Sequence, residues 1–348
     1  MAADARASRQ LSPERALAEG RWVKLICGAS NQDLPAIADL CAIYGLAGVH
    51  CIDVAADPAV VRAARQGLDW LQGRSANSPW LMVSLSDGSD AHFRKAWFDP
   101  RRCPEDCSRP CQRVCPAEAI SSSGGIAAGR CYGCGRCLPA CPLGLIEEHD
   151  HRIGLEAMVD LLKEIRPDAV EVHTAPGRGD AFSVLLSRLS AAGVSLRRLA
   201  VSCGLEGHGL TPDDLSRELW QRHAALRRHR FLPLWQLDGR PMSGDVGAGT
   251  ARAAVQLWRQ MIPIAPPGPL QLAGGTNAAT LGHLGIQERP AGIAFGGMAR
   301  SQLLPLLQAA RDRGEPLREW PEGRRLALDQ AEALVQPWIR RPAGERSC

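Results

Sequence analysis

The chain has 348 residues, 45% of them apolar, and a net charge of +4. Such a composition supplies a large core of one or two domains and excludes a disordered chain. The positive charge is almost all arginine, since Lys24, Lys95 and Lys163 are the only lysines; no aromatic or nucleic-acid motif accompanies the basic helix around Arg222 to Arg230, so no nucleic-acid partner is expected.

Residues 1–19 are polar and read as a flexible N-terminal segment, without the apolar run of a signal peptide. No stretch approaches the length of a membrane span. With 13 cysteines and no export signal, the expected location is the cytoplasm, where thiols stay free.

Residues 20–98 alternate short apolar runs (23–27, 49–54 and 81–85) with helical patterns at 34–46 and 59–71, where apolar residues recur at three- and four-residue spacing. Gly48 and, further on, Gly193 stand where helices should stop in a left-handed cap.

Residues 99–150 carry eight cysteines in two groups, each ending in Cys-Pro. Cys131, Cys134, Cys137 and Cys141 before Pro142 have the bacterial ferredoxin spacing CxxCxxCxxxCP, in which the fourth thiolate crosses to a neighbouring cluster. Cys103, Cys107, Cys111 and Cys115 before Pro116 read CxxxCxxxCxxxCP, longer by one residue in two gaps. Zinc sites use cysteines in pairs, whereas these come as triplets with a remote fourth, so two iron–sulfur clusters are expected. Crossed ligation would give one 4Fe-4S cluster to Cys131, Cys134, Cys137 and Cys115. The other would belong to Cys103, Cys107, Cys111 and Cys141, where the wider loops also admit a 3Fe-4S form. Arg101, Arg102, Arg109, Arg113, Arg130 and Arg136 outnumber Glu105, Asp106 and Glu118 here, a cationic rim suited to an acidic electron carrier.

Residues 151–335 resume the alternation, with strands expected at 169–173, 198–203, 232–237, 270–273 and 292–295 and helices at 155–165, 181–192, 212–228 and 250–261. Residues 336–348 form a tail. Eight strands, each followed by a helix, predict a (β/α)8 barrel with the ferredoxin-like module inserted after the third strand; an open parallel α/β sheet is the alternative. An insertion there places the clusters over the barrel's C-terminal mouth, with Trp97 and Phe98 as candidate packing residues.

Gly274 and Gly275 after the seventh strand, and Gly296 and Gly297 after the eighth, would either expose backbone N–H groups to a phosphate, such as that of FMN, or form tight turns. Positional candidates at the strand ends are Cys27, Ser30, Asn31, Asp53, Ser84, Asp87, His173, Cys203, Glu206, Gln236, Asp238, Thr276 and Asn277. Buried, inert thiols are the ordinary fate of Cys27 and Cys203, and a structural role that of His173. No dinucleotide, Walker or HExxH motif is present.

The stretch RWVKLICGASNQDLPAIADLCAIYGLAGVHCIDVAAD at residues 21–57, then PWLMVSLSDGSDAHFRKAWFDPRRC and both cysteine groups, closely resembles the cyanobacterial light-dependent period family. The similarity runs from about residue 20 to about residue 335. It implies an iron–sulfur redox sensor that relays redox and light state to the circadian clock, with clock input or core proteins as partners. Only the eight cysteines carry over as functional residues. The rival class is a barrel oxidoreductase that uses the clusters as a wire to a flavin or substrate; a third reading makes them structural staples.

Overall fold

The computed structural model describes residues 11–76, 78–121, 125–205, 209–240 and 247–342. The chain opens with α1 (Pro13–Ala18), then runs β1 (Trp22–Gly28), α2 (Leu34–Ala47), β2 (Cys51–Ala55), α3 (Pro58–Trp70) and β3 (Trp80–Ser86). The insert follows as β4 (Arg94–Trp97), α4 (Pro110–Arg113), β5 (Ile120–Ser121), β6 (Gly125–Ile126), α5 (Cys137–Ala140) and β7 (Glu147–Asp150). After it come α6 (Leu155–Ile165), β8 (Ala169–His173), α7 (Gly179–Ala191), β9 (Arg198–Cys203), α8 (Pro212–Arg228), β10 (Pro233–Asp238), α9 (Ala251–Met261), β11 (Leu270–Ala273), β12 (Gly292–Phe295), α10 (Gly297–Arg313) and α11 (Pro321–Ile339).

Strands β1, β2, β3, β8, β9, β10, β11 and β12 pair in parallel and close into a barrel, β12 returning to β1 with Trp22 opposite Gly292. Closure decides for the barrel over the open sheet. The expected strands at 169–173, 198–203, 270–273 and 292–295 coincide with the observed ones residue for residue. One connection departs from the strand-then-helix pattern: β11 leads into a single 3-10 turn, Thr280–His283, and no longer helix precedes β12. The surplus appears after β12, as two helices.

The strand sequences explain the layering. Outward-facing Val23, Leu25, Ile52, Val54, Val83, Val170, Val172, Val201, Leu237 and Leu272 join the apolar shell beneath the helices. Inside, the lower end of the barrel is filled by Trp22, Cys51, Met82, Ala169, Ala200 and Leu234. Ala16 and Leu17 of α1 complete that cluster, so residues 13–18, expected in a flexible segment, form a helix that plugs this end with two buried side chains. At the other terminus α11 extends to Ile339 and buries Trp338, past the expected tail boundary. Its Gln336 side chain donates to the Ala47 carbonyl at the end of α2 at 2.8 Å.

Helix α2 is apolar on nearly every face because α3 and α11 pack against it. Its one buried acid, Asp39, accepts from the backbone N–H groups of Leu317 and Arg318 at 2.9 and 3.2 Å and from the Arg318 guanidinium at 2.7 Å. The carboxylate thereby satisfies the turn between α10 and α11, which would otherwise bury unpaired donors.

The insert leaves and re-enters the barrel through one antiparallel ribbon, β4 with β7, in which Arg94 faces Asp150 and Trp97 faces Glu147. Its core is small: Ala96, Phe98, Cys111, Ala119, Ile120, Cys131, Cys137 and Ile146. Phe98 belongs to this module core rather than to the junction, and Trp97 is half exposed, its ring tilted at 44° and 5.5 Å from that of His149. Polar contacts dock the module instead. Lys95 Nζ donates to Gln32 Oε1 at 2.6 Å and the Ala128 carbonyl at 2.7 Å, while the Gln32 N–H donates to the Gly129 carbonyl at 2.9 Å. Gly133 lies flat on the neck at φ 74°, where a Cβ would come within 2.3 Å of the Arg94 carbonyl oxygen. No helix among the described residues is long and apolar enough to cross a membrane.

Candidate iron–sulfur module and barrel mouth

The two cysteine groups exchange their last members in space. An apolar cavity in the module is ringed by Cys115, Cys131, Cys134 and Cys137, with Ala96, Ala117, Ile120 and Ile126 among its walls. Burial pushes the Cys137 thiol up to about 12, and the charges of Cys134, Cys131 and Cys115 add to the effect. Cys134 is raised in the same way, by burial and then by Cys115 and Cys131. In the other set, burial raises Cys111, with Cys141, Cys103 and Cys107 acting on it, and Cys103 feels Cys107 and Cys141. Thus Cys115 keeps company with the second triplet and Cys141 with the first.

The surroundings suit thiolate ligands. Backbone N–H groups of Ala96, Ala119 and Leu145 donate to Cys131, Cys115 and Cys141 sulfur at 3.4, 3.3 and 3.4 Å. Burial would raise Cys141, but the N–H groups of Leu145, Leu143, Gly144 and Ile146 outweigh it and lower its pKa. A tetrahedral zinc site holds its sulfurs about 3.8 Å apart. Among the described residues no three cysteine sulfurs gather within 4.8 Å of one another. The all-thiolate donor set, with its backbone N–H donors and apolar wall, fits an iron–sulfur cluster.

Below the module the barrel interior is polar. Lys24, Asp53, Ser84, Glu171, Ser202, Gln236 and Gln271 are all buried. Lys24 pairs with Glu171 and stands 3.5 Å from Asp53; Ser84 Oγ donates to Asp53 at 2.9 Å. Gln236 Nε2 donates to Glu171 at 2.9 Å, and Gln271 Nε2 to Gln236 Oε1 at 2.6 Å. Burial disfavours the Lys24 charge, yet Glu171 and Asp53 overcome it and raise its pKa. Burial likewise lifts Asp238 to about 6. His173, at the upper end, is opposed by burial but held up at about 9 by Glu171 and Asp90.

At the mouth these side chains open into a cavity of about 40 Å³ lined by His92, His173, Ser202, Gln236, Asp238, Arg240 and Gly274, and closed above by Tyr132 and Arg300. Tyr132 lies between two module cysteines, so module and barrel share this cavity. Strand-end candidates Ser84, His173, Gln236 and Asp238 come together here, while Asn31 caps its own loop by donating to the Cys27 carbonyl at 3.0 Å. Thr276 and Asn277 stabilise the loop after β11: Asn277 Nδ2 donates to the Gly247 carbonyl at 2.8 Å. Asp87 serves Thr174 and Arg178. Cys27 and Cys203 are buried thiols, the latter raised by burial. Glu206 lies outside the described residues.

The four glycines do not assemble a phosphate cradle. Gly274 and Gly275 have φ of 65° and 84° and pack against the backbone of Arg240 and Thr250, where a Cβ would approach to 2.4 and 3.0 Å. Gly297 is buried in the first turn of α10, and Gly274 alone of the four lines the mouth cavity. At about 40 Å³ that cavity is far below the several hundred Å³ of a cofactor pocket.

Lys24, Glu171, Ser202 and Gln271 lie inside their strands rather than at the ends where the sequence candidates stand. Their signal is a polar residue between two apolar ones, as in Val23-Lys24-Leu25, Val170-Glu171-Val172 and Leu270-Gln271-Leu272.

Comparison with known proteins agrees with the module and extends it. Residues 103–152 match the LdpA Fe-S cluster-binding domain and residues 161–337 the light dependent period A C-terminal domain. The chain is 46% identical over 336 residues to Light dependent period A of Synechococcus elongatus, covering 93% of each chain. A 54-residue stretch, 15% of this chain and 34% of the other, is 39% identical to the putative electron transport protein YsaA of Escherichia coli K12. Among solved structures, the YdjI aldolase of Escherichia coli K12 aligns over 95% of this chain and 96% of its own at 8% identity with a TM-score of 0.43. The tryptophan synthase alpha subunit of Legionella pneumophila aligns over 94% and 97% at 10% identity with a TM-score of 0.37. The chain belongs to the light-dependent period A family of iron–sulfur proteins.

Proposed function

We propose that the chain is a cytosolic redox sensor with two iron–sulfur clusters, one held by Cys115, Cys131, Cys134 and Cys137 and the other by Cys103, Cys107, Cys111 and Cys141. The observation that carries the reading is the exchange of Cys115 and Cys141 between the two triplets. Each cluster would supply a one-electron change in charge, with a four-iron type at the first set and a four- or three-iron type at the wider second set. The chain's own residues provide the thiolates, the backbone donors and an apolar wall.

A sensor needs partners that distinguish its two states, because equal affinity for both transmits nothing. Membership in the family, and the name of the Synechococcus relative, support clock input or core proteins as those partners. Arg113 and Arg136 flank an open recess with Val114, Cys115, Pro116 and Pro139, which supports docking of an acidic electron carrier beside a cluster ligand.

The test is anaerobic purification with iron and acid-labile sulfide counts, then a redox titration followed by electron paramagnetic resonance. Two reducible clusters per chain are expected, together with partner affinity that differs between reduced and oxidised protein. Zinc in place of iron, or identical partner affinity in both states, overturns the proposal.

A further inference from the structure

Three side chains, two from the turn after β3 and one from the end of β8, converge at the barrel mouth, on the module side. Asp90 precedes the 3-10 turn Ala91–Phe93, and His92 in that turn brings Nδ1 to 2.9 Å from Asp90 Oδ1. From the end of β8, His173 turns its own Nδ1 toward the other oxygen, 3.8 Å from Asp90 Oδ2. The two imidazole rings stand 4.9 Å apart, centre to centre. One carboxylate oxygen and one nitrogen from each histidine lie within 4.8 Å of one another. We propose that Asp90, His92 and His173 form a mononuclear site for a divalent transition-metal ion, separate from the cysteine-bound clusters.

The ligand chemistry fits. Two imidazoles and one carboxylate on one side of an ion suit Zn²⁺, Mn²⁺ or Fe²⁺ and leave the opposite side open. The supporting shell is also built. His173 Nε2 is 3.2 Å from Glu171 Oε1, and Glu171 is itself fixed by Lys24 and by Gln236. A ligating histidine characteristically donates its second ring N–H to a carboxylate, which sets the tautomer and leaves the other nitrogen for the metal. Here that arrangement leaves Nδ1 facing Asp90. Phe93 meets the His173 ring edge-on at 5.2 Å and limits its rotation.

The open side has room. His92 and His173 both line the mouth cavity of about 40 Å³. That volume takes about three waters, enough to complete four- to six-fold coordination. A turn-capping role explains the contact of Asp90 with His92, since Asp90 also accepts from the His92 backbone N–H at 2.8 Å. A charged His173 bridging Glu171 and Asp90 accounts for the second approach without an ion, and it is the alternative that the test separates.

The test uses Mn²⁺, which thiols bind poorly, added to the anaerobically purified chain with its clusters loaded and oxidised. The room-temperature paramagnetic resonance of free Mn²⁺ reports binding, and iron and sulfide are counted in the same samples, so a failure of the cluster reading registers separately. One Mn²⁺ per chain, displaced by Zn²⁺, is expected. His92→Ala and Asp90→Ala should each weaken it at least tenfold with cluster iron unchanged; His92→Ala should leave the melting temperature unchanged, whereas Asp90→Ala, which also removes the turn cap, should lower it slightly. His92 is in a partly exposed turn, so its variant tests the site without emptying the core. Glu171→Gln should weaken binding less. Absence of a stoichiometric Mn²⁺ site, or binding that survives both His92→Ala and Asp90→Ala, identifies the trio as an ion-paired cap only and overturns the proposal.

Discussion

The guanidinium of Arg300, on α10 of the barrel, lies 4.3 Å above the ring of Tyr132, which stands between Cys131 and Cys134 of the module. Arg300 also donates to the Ile26 carbonyl at the end of β1 at 2.8 Å, so a barrel-anchored positive charge is presented to the cysteine loop. A cation near a cluster stabilises its reduced form. Arg300→Met should therefore lower the potential of the adjoining cluster by an amount on the order of tens of millivolts. Tyr132→Phe keeps the charge and should leave it nearly unchanged. Potentiometric titration of the two variants decides this.

Cys115 belongs to the first motif in sequence and to the second triplet in space. Cys115→Ser is expected to damage the cluster held by Cys131, Cys134 and Cys137 and to spare the one held by Cys103, Cys107 and Cys111. Cys141→Ser should do the reverse. Iron content near half of the parent in both variants, with complementary resonance spectra, is the expected outcome; loss of the cluster of its own motif would reject crossed ligation.

Lys24 pairs with the buried carboxylate of Glu171 and stands 3.5 Å from that of Asp53, which burial pushes toward its neutral form. Removing one partner of a buried ionic group costs about 3–5 kcal/mol, because the remaining charge is left without compensation. Lys24→Met should lower stability by that order in urea unfolding. Lys24→Met combined with Glu171→Gln should recover a large part of it. Equal losses in the single and double variants would show that the ammonium acts through packing instead.

His50 stacks on Trp22 in the lower barrel, and its Nδ1 accepts from the Val23 N–H at 3.1 Å. Burial lowers its pKa from 6.5 to about 4. As pH falls below 6.5 the unfolded chain takes up a proton that the folded chain refuses, so stability declines until the folded group also titrates near 4. Between pH 7.5 and 5.5 the decline from this residue is on the order of 1 kcal/mol. His50→Gln keeps an acceptor for Val23 and should remove that part of the slope, as measured by urea midpoints across the same range.

Strand positions were legible in the sequence because apolar runs of four to six residues between glycine stops have few other uses. The plug formed by Ala16 and Leu17 was not, since six residues of helix carry too little periodicity to stand out from a polar terminus. The missing helix between β11 and β12 was hidden for the opposite reason: a barrel count supplies a helix wherever a strand is followed by another. His173 is a strand-end residue by its position in the sequence, whereas its partners Asp90 and His92 lie on a turn whose place over β8 follows from the pairing of β3 with β8 across the insert. Trp97 and Phe98 misled because aromatic residues suggest a junction. The junction is made by Lys95, Gln32 and Gly133, through groups that composition does not single out.

The ribbon of β4 and β7 brings the two ends of the insert side by side, Arg94 opposite Asp150. Partners in such a ribbon stand about 5 Å apart. A gap that narrow is spanned by an ordinary turn, so the eight-stranded frame is topologically indifferent to whether the cysteine-bearing segment is there. Insertion or excision of the whole segment at this one loop would therefore re-order no strand of the barrel.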